Sequence, residues 1–198
     1  MSNEFKRGFK TWCEQVAVQQ RRELGLQDTD PIDPAQYASH LGVLVWPADQ
    51  IPGLKPETRR VLFDKDRGSW SAATLTVGRT VLVILNHTHP QSRQNSSLVH
   101  ELSHILLDHK PARVDVTEDE LLILNTYDRK QEDEANWLTG CLLLPRQAVV
   151  SLSYKGLTDD EAAEKYGVSR KMIQYRKNVT GAGRQYQRMR RQRRGENV

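Results

Sequence analysis

His100-Glu101-Leu102-Ser103-His104 lies in a run whose apolar residues, Leu98, Leu102, Ile105 and Leu106, recur at the spacing of an amphipathic helix. Four residues make about one helical turn, so His100 and His104 leave the same face. Two neutral imidazoles placed this way can share one zinc ion. Glu101, one step around the helix, can reach a water beside that ion. This is the minimum set for metal-assisted hydrolysis of an amide. HExxH fixes only three positions, and paired histidines also occur as ordinary surface or core residues. The half-buried helix around them is what favours a site.

A third ligand must come from elsewhere. The longer pattern HExxHxxGxxH would need glycine at 107 and histidine at 110, where this chain has Leu107 and Lys110. The best carboxylate candidate lies in Gln131-Glu132-Asp133-Glu134-Ala135-Asn136-Trp137-Leu138-Thr139-Gly140-Cys141-Leu142-Leu143-Leu144-Pro145, a second helical pattern closed by proline. Glu132 and Asn136 share a face there. Ala135, Thr139 and Gly140 are small enough for a close helix approach. Glu132 can complete a His-His-Glu set, and Asn136 can orient a ligating histidine from behind. The competing readings are a solvated acidic run at 132–134 and Asp108 as a rival ligand.

Together, HELSHILLDH (100–109) and EDEANWLTGCLLLP (132–145) resemble the ImmA/IrrE family of zinc metallopeptidases, which carries HELGHxxLH followed by ExxANxFAxxLLxP. The resemblance covers roughly residues 40–146. It implies His100, His104 and Glu132 as metal ligands and Glu101 as general base. Zn2+ is the implied cofactor, with Mn2+ as a possible substitute. Ser103 stands where the family usually has glycine, Leu138 where it has phenylalanine, and Thr139-Gly140 where it has an alanine-rich pair. These departures remove neither a ligand nor the base, but they bear on how the helices pack. The family further implies a regulatory substrate, a helix-turn-helix repressor cut on a stress signal. A second oxyanion donor is also expected, with Tyr127 and Tyr154 as candidates.

The chain has 198 residues, 37% of them hydrophobic, which suffices for one core with an appendage or two small ones. Its apolar runs fall well short of the roughly 20 residues of a membrane span. The N-terminus shows no apolar signal-peptide core. Cys13 and Cys141 form no disulfide framework or Cys-rich zinc pattern, so a cytoplasmic protein with free thiols is expected. Charge divides sharply: residues 1–164 carry 18 Lys/Arg against 24 Asp/Glu, and residues 165–198 carry 11 against 1. The Arg-rich end reads as a disordered tail able to meet polyanions, or simply as a solubilising one.

The expected organisation is an α+β zincin-like catalytic domain over 1–155, mainly helical with a small antiparallel sheet. A helix-turn-helix-like subdomain over 156–183 and a basic tail over 184–198 follow. Helices are expected at 4–24 and 35–41, and strands at 43–46, 60–63, 69–77 and 80–86. Residues 49–57 read as loop. The strand 80–86 is the candidate edge for an added substrate strand, with His87 and His89 beside it as weaker candidates for substrate contact. Thr158 with Glu161 fits a capping box, and Gly167-Val168 makes a turn before Ser169 caps a further helix. Ser169, Arg170, Lys171, Gln174 and Arg176 would face nucleic acid if that helix entered a major groove. A DNA-binding or partner-binding regulator with a structural or degenerate metal site is therefore the alternative to the peptidase.

Overall fold

The computed structural model describes residues 5–51, 53, 55–60, 63–64, 68, 70–109, 113–116, 122–125, 128–184 and 186. Helix α1 spans Phe9–Glu23, starting five residues later than its apolar pattern suggests. Helix α2, Pro34–His40, starts where Asp33 Oδ1 accepts the amides of Ala35 and Gln36, with proline at its first position. Strand β1 is Val43–Pro47, and a single 3-10 turn follows at Ala48–Gln50. Helix α3, Pro56–Arg60, takes Arg60 into a helix where a strand was expected. The rest of that expected strand falls mostly outside the described residues.

Strands β2 (Ala72–Val77) and β3 (Thr80–Leu85) form the expected antiparallel hairpin through Gly78, whose φ of 61° suits the tight turn. β1 joins β3 in parallel, Val43 opposite Val81 and Pro47 opposite Leu85, so the sheet is mixed, in the order β1-β3-β2. β3 is therefore the central strand, and the expectation that 80–86 offers an edge fails. The edges belong to β1 and β2. A crossover through α3 and β2 lets the chain return parallel to β1, which alternation within the strands does not encode.

Helix α4, Gln91–Leu106, carries the HExxH residues and lies against β2 and β3. A two-stranded antiparallel ribbon, β4 (Arg113–Val116) with β5 (Leu122–Asn125), follows it. Helix α5 (Arg129–Leu143) is capped by Asp128. Helices α6 (Arg146–Lys155), α7 (Asp159–Tyr166) and α8 (Arg170–Thr180) follow. The Thr158–Glu161 capping box and the left-handed Gly167 form as the sequence indicates, and Ser169 caps α8.

Helix α5 packs against both α4 and α1. From Leu138 to Leu143 it is buried all round, as a helix hydrophobic on every side must be. Leu102, Leu138 and Leu142 are almost fully enclosed, each worth about 1.5–3 kcal/mol relative to exposure. Its C-terminal carbonyls have no glycine cap, and two buried arginines satisfy them. Arg21 Nη2 donates to the Leu142 carbonyl at 2.7 Å, and Arg176 Nε to the Leu144 carbonyl at 2.8 Å. Desolvation lowers the Arg21 pKa to about 10, which leaves it charged at neutral pH.

Besides the Arg176–Leu144 bond, further contacts tie the C-terminal helices to the rest. Asn95 Nδ2 donates to the Gly167 carbonyl at 2.8 Å, Tyr166 donates to the Thr29 carbonyl at 2.5 Å, and Arg176 Nη2 donates to Glu14 Oε1 at 2.5 Å. Ala162, Tyr166, Val168 and Ile173 share one core with Cys13, Leu142 and Leu152. Leu152 of α6 and Ala162 of α7 belong to that same core. Of the basic tail, only Arg184 and Tyr186 are described. No helix among the described residues is long and apolar enough to cross a membrane.

Candidate metal centre

His100 and His104 project from the same face of α4, and Glu132 meets them from the first turn of α5. His100 Nε2 and His104 Nε2 are 3.0 Å apart. Glu132 Oε2 lies 3.2 Å from the first ring nitrogen and Oε1 3.2 Å from the second. A tetrahedral zinc ion with Zn–N and Zn–O bonds near 2.0–2.1 Å sets neighbouring donor atoms about 3.3 Å apart. The donors fit that spacing, and their chemistry, two imidazoles and one carboxylate, is that of a catalytic rather than a fully closed structural site. No other such group of His, Cys, Asp and Glu is found among the described residues. All three side chains are half-buried.

Burial, reinforced by His100 and His109 nearby, lowers the His104 pKa to about 4. The ring is therefore neutral at physiological pH, the form that can ligate.

Glu101 is held by a residue with no signal in the sequence. The Thr74 hydroxyl, on β2, donates to Glu101 Oε2 at 2.5 Å. Thr74 shares the face of β2 that meets α4, and 27 positions separate it from Glu101. A second addition is His109. Its Nδ1 lies 3.0 Å from His104 Nδ1, and its Nε2 3.4 Å from Glu134 Oε2. His109 and Glu134 both stand in the two diagnostic blocks, but nothing in their spacing says that they meet.

Asn136 is exposed, and no hydrogen bond from it to either ligating histidine is seen among the described residues. Asp108 is also exposed and lies outside the His100–His104–Glu132 group. His89 is buried, and His87 Nδ1 faces Asp49 Oδ1 at 3.4 Å with Phe63 against its ring; neither is part of the His100–His104–Glu132 group. Tyr154 lies on α6 against Tyr186, at 5.6 Å between ring centroids. Tyr127 lies outside the described residues.

The departures at 103 and 139 face each other. Ser103 Oγ and Thr139 Oγ1 are 3.0 Å apart at the buried α4–α5 crossing, so one hydroxyl serves the other. Gly140 leaves room for Arg176, whose Cδ would stand 3.1 Å from an added Cβ.

The nucleic-acid candidates divide. Arg170, Lys171 and Gln174 are exposed on α8. Arg170 reaches Asp160 at 3.5 Å and Gln174 reaches Asp159 at 3.1 Å, so acidic residues of α7 occupy part of that face. Arg176 points the other way: it is fully buried against Leu144 and Glu14 and cannot touch DNA. Its guanidinium serves the carbonyl end of α5, a demand that no pattern in α8 reveals.

No curated protein matches this chain. A solved structure described as a Mycobacterium tuberculosis transcriptional regulator aligns with a TM-score of 0.48 and 14% identity, over 86% of this chain and 47% of that one. The chain thus spans about half the length of that protein. The family model Peptidase_M78, described as IrrE N-terminal-like domain, matches residues 55–178, which include α4, α5, α7 and most of α8. With that match over more than half its length, the chain belongs to this peptidase family.

Proposed function

We propose that the protein is a zinc-dependent endopeptidase that performs limited proteolysis of a regulatory protein in the cytoplasm. One observation carries the reading: two imidazoles and the Glu132 carboxylate converge at 3.0–3.2 Å beside a glutamate held in place by Thr74. When bound, zinc lowers the pKa of water and draws charge from a carbonyl oxygen. Mn2+ suits the same nitrogen and oxygen donors less strongly.

The protein side of the reaction belongs to Glu101. Its carboxylate takes the proton from the attacking water and returns it to the departing amide nitrogen. The Thr74 hydroxyl fixes one carboxylate oxygen, leaving the other for this exchange. β2 is the sheet edge beside α4, so an extended peptide can pair along it with main-chain hydrogen bonds and lie over the site. The substrate suggested by the family resemblance is a helix-turn-helix repressor. Exposed Arg170 and Lys171, together with the basic 165–198 segment, supply a general affinity for nucleic acid beside that activity.

Incubating the zinc-loaded protein with the helix-turn-helix protein encoded beside it tests the reading. Wild type should yield discrete fragments. Glu101→Gln should yield none while still holding one metal ion per chain. Equal cleavage by Glu101→Gln, or a fully metallated wild type that leaves the partner intact, overturns the assignment.

A further inference from the structure

α4 ends at Leu106, and Asp108 follows with a φ of 51°, a left-handed conformation that aspartate tolerates better than most residues. The turn folds the chain back. The His109 amide donates to the His104 carbonyl at 3.0 Å, and the two rings meet with centroids 5.0 Å apart. The side chain of His109 is 7% exposed and that of its partner Glu134 is 15% exposed. Glu132 and Glu134 sit two positions apart on α5, so one helix supplies both the third ligand and the far end of this chain of contacts.

The protons along these contacts have one self-consistent arrangement. A ligating nitrogen carries no proton. His104 Nε2 faces His100 and Glu132, so the His104 proton belongs on Nδ1, where it donates to His109 Nδ1 at 3.0 Å. His109 then carries its own proton on Nε2 and donates it to the Glu134 carboxylate at 3.4 Å. A partner on the second ring nitrogen fixes both the tautomer and the orientation of a metal-binding histidine. Here that partner is an imidazole, itself oriented by a carboxylate.

We propose that His109, oriented by Glu134, is a positioning residue that holds His104 in its metal-binding tautomer and ring orientation. The metal affinity of the centre therefore depends on two residues that never touch the ion. This rests on the metal reading given above.

The test measures zinc affinity of the full chain by competition with a chromophoric chelator, and the visible spectrum of the cobalt-substituted protein. The variants are His109→Phe, His109→Gln and Glu134→Gln. Phenylalanine keeps ring bulk without nitrogens. Glutamine offers an oxygen to accept from His104 and an NH2 to donate to Glu134. His109→Phe should weaken zinc binding by about 10–100-fold and shift the cobalt bands. His109→Gln should recover most of that loss, and Glu134→Gln should weaken binding by a smaller factor. Nitrogen NMR of the zinc-loaded wild type should find the proton of His104 on Nδ1 and that of His109 on Nε2, a readout that needs no variant to fold. Affinity unchanged in His109→Phe, equal losses in the Phe and Gln variants, or the opposite tautomer on either ring overturns the relay and leaves the centre standing. A wild type that takes up no metal overturns the centre and the relay together.

Discussion

The Thr74 hydroxyl and Glu101 Oε2 stand 2.5 Å apart, joining the edge strand β2 to the glutamate next to His100. A hydrogen bond to a charged group contributes about 1.5–3 kcal/mol, and about 1.4 kcal/mol corresponds to a factor of ten in rate. Thr74→Val, which keeps the shape and removes the donor, should lower kcat by roughly tenfold or more without changing zinc stoichiometry. Thr74→Ser should retain most activity. Steady-state kinetics with metal analysis checks both, and an unchanged kcat in Thr74→Val would show that the contact does not matter to the reaction.

Glu132 meets His100 and His104 from α5, so a bound ion would link two helices that otherwise meet through side-chain packing. A ligand that binds only the folded state at 100 times its Kd adds about 2.7 kcal/mol of stability. Zinc should therefore raise the thermal midpoint of the wild type, and a chelator should reverse the gain. Glu132→Ala should lose most of this response, whereas Glu101→Gln should keep it. Calorimetry with and without metal reads the difference.

Arg176 is buried between the Leu144 carbonyl and Glu14. Removing one member of a buried pair leaves the other charge uncompensated, at a cost of about 3–5 kcal/mol, discounted here because Glu14 is partly exposed. Arg176→Ala should destabilise the fold by about 2–4 kcal/mol in urea titration. An exposed arginine would change stability by well under 1 kcal/mol.

Gly140 gives this prediction a neighbour. Replacing a helical glycine with alanine ordinarily gains about 1 kcal/mol. Here the new Cβ would meet Arg176 Cδ at 3.1 Å and Tyr175 Cε1 at 3.6 Å. Arg176 is held at both ends of its guanidinium and cannot step aside, so overpacking of about 1–3 kcal/mol should win. Gly140→Ala should lower the midpoint, and a gain in stability would mean that Arg176 has freedom to move.

Lys171 lies on the exposed side of α8, opposite Arg176. If the basic segment meets nucleic acid through phosphates, Lys171→Ala should reduce the slope of log K against log salt by about one. Arg176→Ala should leave the slope unchanged among molecules that remain folded. Binding titrations at several salt concentrations distinguish the two.

Local features were legible in the chain because their causes are local. The i, i+4 pairing of His100 with His104 follows from the helical turn alone. The Thr158 capping box, the Gly167 turn and the Ser169 cap likewise depend only on near neighbours. Glu132 is singled out by a helical pattern closed by Pro145 and by the resemblance of the two blocks, and the structure brings it within 3.2 Å of both histidines. What lies far apart in sequence was settled by tertiary structure. The parallel placement of β1 beside β3 made 80–86 a central strand. The carbonyl end of α5 drew Arg176 inward, though its neighbours on α8 are basic and exposed. Thr74 and His109 reached the site only because a strand edge and a left-handed turn carried them there. Sequence periodicity reports which face of an element is apolar; which polar group must answer which buried donor or acceptor is decided by the neighbours that packing supplies.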